Sequence, residues 1–126
     1  MLSVHAVAGI LQRDNKILVS ERPAGKPYSG YWEFPGGKIE ANESGEQALI
    51  RELQEELGIV VNAAEFLLHH EYTYPDKMVY LQLWRVTQFL GKPRSQENQR
   101  LRWVTMTEIM SMKLLEGNWA IVDKIK

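Results

Sequence analysis

The chain has 126 residues, contains no cysteine and carries a formal net charge of −1 at pH 7. This length predicts a single domain spanning residues 1–126, and the absence of thiols excludes disulfides, zinc–thiolate sites and cysteine nucleophiles. No apolar run reaches the roughly eighteen residues of a membrane span. Because the first residues also lack a positively charged leader, we expect no signal peptide and no membrane partner, and predict a cytoplasmic protein.

Charge is distributed unevenly along the chain. Residues 33–65 hold eight glutamates against Lys38 and Arg51, whereas residues 77–126 hold nine basic and four acidic side chains. Solvated surfaces account for most clusters of this kind. The alternative is an acidic block that binds cations, with basic side chains elsewhere that receive an anion. Because no dense basic stripe occurs, we expect no nucleic acid polymer as a partner.

The N-terminal part is typical of a hairpin followed by a loop. Residues 4–12 and 16–22 are rich in β-branched and small side chains, and residues 13–15 between them have turn composition. Residues 23–30 form a loop by composition. Residues 32–34 alternate like a short strand, which we expect to stop at residues 35–37.

The central segment predicts a helix over residues 45–57. Ser44 and Gln47 form a capping-box pattern, and Gly58 follows where a left-handed residue ends many helices. Further along, we predict a hairpin from residues 67–74 and 78–89, a strand at 101–104, and helices at 107–112 and 118–125. Strands around one central helix, with further helices, favour an α+β fold with three layers.

The central helix carries a stripe of carboxylates. Glu52, Glu55 and Glu56 fall within an arc of about 100°, and each like-charge pair one turn apart costs a few tenths of a kcal/mol. A divalent cation removes that repulsion, and carboxylate oxygens are ligands that Mg²⁺ prefers. A solvated acidic face is the alternative. Gly45 and Ala48 share the stripe, so we expect open space above it.

The same helix lies inside a longer motif: glycine, five residues, glutamate, seven residues, then R-E-U-x-E-E-x-G-U, where U is a bulky aliphatic residue. Every defined position is matched, by Gly37, Glu43, Arg51, Glu52, Leu53, Glu55, Glu56, Gly58 and Ile59. The chain therefore resembles the Nudix hydrolase superfamily. The resemblance implies an α/β/α sandwich around a mixed sheet, a catalytic loop–helix–loop, and Mg²⁺ as cofactor, with Mn²⁺ as a substitute.

The family pattern also assigns roles by position. The implied metal ligands are the backbone carbonyl of Gly37 and the carboxylates of Glu52, Glu55, Glu56 and, with substrate bound, Glu97. The implied catalytic set is Arg51, Glu52, Glu55 and Glu97. Glu52 is the first choice to accept the proton of the attacking water and Glu97 the second, while Arg51 orients the glutamates. Glu43 is expected to brace the loop, with Glu40 beside it.

The flanking residues resemble the MutT branch of the superfamily, in segments 32–40, 74–77 and 91–93 and at Asn118. This implies a monomer that hydrolyses 8-oxo-dGTP at the β-phosphorus, to 8-oxo-dGMP and pyrophosphate, in sanitation of the nucleotide pool. The implied substrate-binding residues are Arg22, Glu33, Phe34 and Asn118. The Asn118 amide offers a donor and an acceptor to a base edge, and a compatible alternative is that it caps the last helix. Trp119 departs from the proline common at this position.

The sequence is also compatible with other functions. A related branch hydrolyses CTP and modified pyrimidine nucleotides on nearly the same scaffold. A Nudix module that binds a nucleotide without cleaving it is an alternative of another class, although such members usually lose motif glutamates and none is missing here. Arg22 and Glu97 are also compatible with plain surface residues. His5, His69 and His70 lack ligand spacing and are expected to be packing or surface residues.

Overall fold

The computed structural model describes residues 2–125 and begins with a hairpin. Strands β1 (Leu2–Arg13) and β2 (Lys16–Glu21) are antiparallel, with Arg13 opposite Lys16. Between them Asp14 and Asn15 have φ angles of 54° and 101°, a left-handed conformation that these two residue types tolerate. The predicted hairpin is confirmed.

Across the described residues the strands form one seven-stranded mixed sheet. The remaining strands are β3 (Trp32–Glu33), β4 (Gly36–Lys38), β5 (Val60–Tyr74), β6 (Lys77–Leu90) and β7 (Leu101–Val104). The main path runs β3-β2-β1-β6-β5, with β4 also paired to β1 and β7 to β2. β1 and β6 are parallel, whereas β5 and β6 form a long antiparallel hairpin. The mixed sheet matches the predicted fold class.

Helices cover both faces of this sheet: α1 (Gly45–Leu57) on one face, and α2 (Met106–Ile109) and α3 (Glu116–Ile125) on the other. Successive strand residues point to opposite faces. Val7 and Leu11 accordingly pack in a core cluster with α1, whereas Ala8 and Ile10 pack in a second cluster with α2 and α3. The result is the expected α/β/α sandwich.

Helix α1 begins and ends where its caps predict. The Ser44 hydroxyl accepts a hydrogen bond from the Gln47 N–H at 3.1 Å, and the Gln47 side chain accepts one from the Ser44 N–H at 2.8 Å. Gly58 adopts φ 69° and closes the last turn onto the Gln54 carbonyl. These interactions are local, which explains why the predicted bounds are confirmed.

Other predicted bounds were wrong. A strand, β4, lies at Gly36–Lys38, where we expected the preceding strand to stop. It pairs with β1 because Gly36 has no Cβ, which would collide with the Val7 carbonyl. β5 begins at Val60 instead of residue 67, since register shifts between residues 61 and 68 interrupt its alternation.

The helices after the sheet also differ from prediction. α2 spans Met106–Ile109 instead of 107–112, and α3 begins at Glu116 instead of residue 118. Asn118 therefore lies inside the first turn of α3, and its predicted alternative role as the N-cap was wrong. Within residues 2–125, none of the helices is long and apolar enough to cross a bilayer.

Candidate active site

Two glutamates of α1 lie against the backbone of β4. The carboxyl group of Glu52 occupies the space beside Gly37 that a Cβ would fill. One helical turn later, Glu56 accepts a hydrogen bond from the Gly36 N–H at 3.2 Å. Gly37 thus allows the Glu52 carboxylate to pack directly against the main chain of β4.

Arg51 connects α1 to the preceding loop. Its Nε and Nη2 donate to the two carboxylate oxygens of Glu43 at 2.7 and 2.9 Å, and Nη2 also donates to the Lys38 carbonyl at 2.9 Å. Nη1 donates to Glu52 at 3.0 Å and to Glu55 at 3.2 Å. The planar guanidinium fork suits this set of acceptors, which a lysine could not satisfy together.

Glu43 has the bracing position that was predicted. Besides binding Arg51, its carboxylate accepts a hydrogen bond from the Glu40 N–H at 3.0 Å. The bonds from Arg51 and then from the Glu40 backbone lower the pKa of Glu43 to about 2. The Glu40 carboxylate lies at the edge of the same group, 3.7 Å from Arg51.

The remaining carboxylates lie close together with little compensating charge. Burial, and then the neighbouring carboxylates of Glu33, Glu97 and Glu52, raise the pKa of Glu56 to about 8. Burial also raises the pKa of Glu52, although its bond to Arg51 acts in the opposite direction. Carboxyl groups arranged in this way favour binding of a cation.

These groups line a cleft of about 380 Å³, which we call the acidic cleft. Its wall is formed by Ser20, Glu21, Arg22, Pro23, Lys26, Glu33, Gly36, Glu52, Glu56, Glu97 and Gln99. Glu55 is absent from this lining; its side chain is 54% exposed and bonded to Arg51. Among residues 2–125, no group of three or more acidic or histidine side chains is gathered closely enough to form a finished metal site.

The loop that carries Glu97 is held on the C-terminal end of α1. Gln99, a buried glutamine 6% exposed, donates to the Glu56 carbonyl at 3.0 Å and accepts from the Glu97 N–H at 2.9 Å. The Arg94 and Gln96 N–H groups donate to the Leu57 and Glu56 carbonyls. The sequence analysis assigned no role to Gln99, because a glutamine in a polar loop carries no signal of burial.

A second cavity, of about 280 Å³, lies beside the acidic cleft and shares Arg22, Glu33 and Gly36 with it. We call it the aromatic cavity. Further residues in its lining are Ala6, Ala8, Tyr28, Phe34, Gly37, His70, Tyr72, Tyr74, Lys77, Val79, Leu81, Leu115, Gly117 and Asn118. His70, Tyr72 and Tyr74 occupy every second position of β5, and this spacing is the sequence signal that could have identified them as neighbours on one face.

Arg22 and Glu33 form the boundary between the two spaces. The Arg22 guanidinium donates to both carboxylate oxygens of Glu33, at 3.2 and 3.3 Å, and to the Pro27 carbonyl at 2.7 Å. Burial raises the pKa of Glu33, and the charge of Arg22 opposes that shift. Both predicted substrate-binding residues therefore contact the two cavities and each other.

Asn118 and Phe34 are joined directly across the aromatic cavity. The Asn118 side-chain oxygen accepts a hydrogen bond from the Phe34 N–H at 3.2 Å. The Phe34 ring is only 3% exposed and belongs to the core. The bond selects one orientation of the Asn118 amide and leaves its NH₂ group as a donor.

The prediction of open space above Gly45 was wrong. The Gln82 side chain occupies the position that a Cβ of Gly45 would take, and Ala48 is fully buried. This part of the helix stripe packs on the sheet, and the accessible carboxylates lie nearer its C-terminal end.

Comparison with known proteins supplies a family and close relatives. The family model described as NUDIX domain matches residues 2–125. A CTP pyrophosphohydrolase of Escherichia coli K12 is 40% identical over 123 residues, covering 98% of this chain and 91% of that protein. An 8-oxo-dGTP diphosphatase of the same strain is 35% identical over 121 residues, covering 96% and 94%. The solution structure of the E. coli ORF135 protein matches with a TM-score of 0.85 and 37% identity, over 98% of this chain and 88% of that one.

Proposed function

The chain belongs to the NUDIX family of nucleotide hydrolases, and from this premise we propose that it is a Mg²⁺-dependent nucleoside triphosphate pyrophosphohydrolase with 8-oxo-dGTP as its preferred substrate. Its products would be 8-oxo-dGMP and pyrophosphate, and it would act as a cytoplasmic monomer of one domain. The observation that carries the proposal is the adjacency of the acidic cleft and the aromatic cavity. A cleft suited to a metal-bound polyphosphate thus lies beside a cavity suited to a nucleobase.

The acidic cleft fits a hard divalent cation. The candidate ligand atoms are oxygens, the type that Mg²⁺ prefers. Burial, and then the neighbouring carboxylates, raise the pKa of Glu56, and a bound cation would compensate both. Glu52, Glu56, Glu97 and the Gly37 carbonyl would hold the ion, with Mn²⁺ as a substitute, and Glu55 would join them from the exposed edge. When bound, such an ion polarises phosphoryl oxygens, acidifies water and neutralises charge on the leaving group.

The side chains of this protein would position the water and the polyphosphate. Arg51 donates to one carboxylate oxygen of Glu52, which restrains that group and leaves its second oxygen to accept a proton from the attacking water. Glu97, on the opposite loop, is the second candidate for this role. Arg22 and Lys26 are the cationic side chains of the cleft lining and would bind phosphate oxygens.

The aromatic cavity would hold the base. The Asn118 NH₂ group is free to donate to a carbonyl of the base edge, since its oxygen is engaged by Phe34. The rings of Tyr28, Tyr72 and Tyr74 form a contiguous aromatic wall, with ring centroids 4.7 Å apart for the last two. Such rings can stack on a base.

A substrate panel tests the assignment. We expect kcat/KM for 8-oxo-dGTP to exceed that for dGTP and CTP by at least about tenfold, since one good base-edge contact contributes about 1–3 kcal/mol of discrimination. Equal values for oxidised and ordinary dGTP would contradict it.

The site of attack is tested separately by hydrolysis in ¹⁸O-labelled water. Attack at the β-phosphorus would place the label in pyrophosphate, and label in the monophosphate would contradict that route.

CTP is the second candidate substrate, and a specific observation favours it: the relative named CTP pyrophosphohydrolase is 40% identical over nearly the whole chain. The same panel separates the two, because a higher kcat/KM for CTP than for 8-oxo-dGTP would select this candidate. Absence of turnover on every nucleotide, with binding retained, would instead support a non-catalytic module.

A further inference from the structure

The floor of the aromatic cavity is a patch of the β5–β6 hairpin. His70, Tyr72 and Tyr74 alternate along β5 and so point to one face of the sheet. All three line the cavity, as do their partners across the strand pair, Leu81, Val79 and Lys77. A ligand base that enters the cavity would therefore meet the histidine and two tyrosines from one side.

The tyrosines of this floor pack against the first turn of α3. Burial, and then the Glu116 carboxylate on α3, raise the pKa of the Tyr72 hydroxyl to about 12, and burial raises the pKa of the Tyr74 hydroxyl. A Cβ on Gly117 would lie 3.5–3.7 Å from the Tyr72 ring and the Tyr74 hydroxyl, which is ordinary van der Waals contact. The two tyrosines therefore pack α3 onto the sheet.

His70 is different, because its polar atom is unsatisfied. Within the described part of the chain, His70 Nε2 is buried and has no hydrogen-bond partner. Buried polar groups in proteins are nearly always bonded, and His70 lines the aromatic cavity. The unsatisfied imidazole therefore points to a partner that the chain itself does not supply.

The chemical state of His70 suits recognition of an uncharged group. Burial, and then the ammonium group of Lys124 on α3, lower the pKa of the imidazole. The ring is thus neutral near pH 7, with one nitrogen that donates and one that accepts. It can pair with a ring N–H or a carbonyl of a heterocyclic base.

We propose that His70 is a base-recognition residue, which hydrogen-bonds the nucleobase from the strand wall of the aromatic cavity while Asn118 binds it from the helix wall. The inference rests on the proposed function, since it assumes that this cavity receives the base of a nucleotide. It adds a residue that ligand spacing in the sequence gave no reason to select.

Calorimetry on a matched pair of variants tests the proposal. His70→Leu removes the polar atoms at similar volume, and His69→Leu is the control, since His69 is exposed, lies on the other face of β5 and packs on Phe66. The probes are 8-oxo-dGMP, dGMP, CMP and inorganic pyrophosphate. We expect His70→Leu to weaken the best-bound monophosphate about tenfold, and to leave pyrophosphate binding unchanged; His69→Leu should change neither. No loss, or an equal loss for pyrophosphate, would overturn the proposal.

A measurement on the unmodified chain avoids any effect of substitution on folding. The ¹⁵N resonance of the His70 imidazole should shift when the best-bound monophosphate is added and stay unchanged with pyrophosphate. An unresponsive imidazole would indicate a partner other than the base and overturn the inference.

The two proposals fail in distinguishable ways. If no nucleotide is hydrolysed but a monophosphate shifts the His70 resonance, the proposed activity is wrong and base recognition stands. If 8-oxo-dGTP is hydrolysed with the same ratio of kcat/KM to dGTP and CTP in His70→Leu as in the unmodified chain, the activity stands and the inference is wrong.

Discussion

Burial, together with three neighbouring carboxylates, raises the pKa of the Glu56 carboxyl group. Its hydrogen bond from the Gly36 N–H compensates only part of that cost. Charged groups held in unfavourable surroundings are typical of functional sites, where stability is given up for chemistry. Under the proposed function, the glutamate at this position would bind a cation.

Glu56→Gln should stabilise the metal-free protein. A folded-state pKa of about 8 lies above the usual value of 4.5, so the stability of the unsubstituted chain falls as the pH rises through the interval between them. The variant lacks this titration and should gain on the order of 2 kcal/mol at pH 8 in chelator. Urea unfolding from pH 5 to 8 measures it. The exposed Glu55→Gln is the control, and a Glu56→Gln curve parallel to that of the unsubstituted chain would contradict the argument.

Glu52→Gln separates the two candidate proton acceptors. If Glu52 accepts the proton, kcat with Mg²⁺ should fall about 10²–10⁴-fold, and Glu97→Gln should cause a smaller loss. Single-turnover rates at saturating substrate measure both, with thermal unfolding as the check on folding. A larger loss in Glu97→Gln would transfer the role to that residue.

At the scale of elements, adjacent glycines in β4 serve different neighbours. Gly36 faces the backbone of β1 at Val7, whereas Gly37 faces the end of the Glu52 side chain on α1. Backbone cannot move without breaking strand pairs, but a glutamate side chain can rotate away. The same added methyl group should therefore have different consequences at the two positions.

Gly36→Ala should reduce the free energy of unfolding by about 2–3 kcal/mol, since the Cβ would force β4 away from β1. Gly37→Ala should alter stability by less than about 1 kcal/mol but lower kcat strongly, because it displaces the Glu52 carboxylate. Urea unfolding and steady-state kinetics on both variants give the comparison. Equal effects on stability would show that Gly37 also serves strand pairing.

For the molecule as a whole, stability at acid pH depends on paired carboxylates spread over several elements. Arg51 lowers the pKa of Glu43 and Arg100 that of Glu21, and the Thr105 cap lowers that of Glu108. These carboxylates hold protons less tightly in the folded state than in the unfolded state. Their stabilisation is present above pH 4.5 and is lost as the pH falls through the lowered values.

Glu43→Gln should therefore remove part of the acid transition. Stability of the unsubstituted chain should fall between about pH 4.5 and pH 2, the usual and folded-state values for Glu43. The variant should be less stable at pH 7 and should lose less on acidification, because it has no carboxylate to protonate there. Thermal unfolding across this range, with the exposed Glu46→Gln as control, tests the sign. An unchanged pH dependence would rule out a contribution from Glu43.

The sequence by itself determined helix α1, its caps and the line of glutamates on it, together with the family they indicate. These features depend on residues within about four positions of each other, and the periodicity of a helix relates them directly. The hairpin turn at Asp14 and Asn15 is local for the same reason.

Only the tertiary structure decided where the cleft and cavity lie and what completes them. Gln99 holds the Glu97 loop on α1, and Gly36 brings β4 to β1. His70 lines the same cavity as the first turn of α3. Each of these positions joins segments that are distant in the chain. Strand register, packing and burial are collective outcomes of the whole core, and no short stretch of sequence contains the information that sets them.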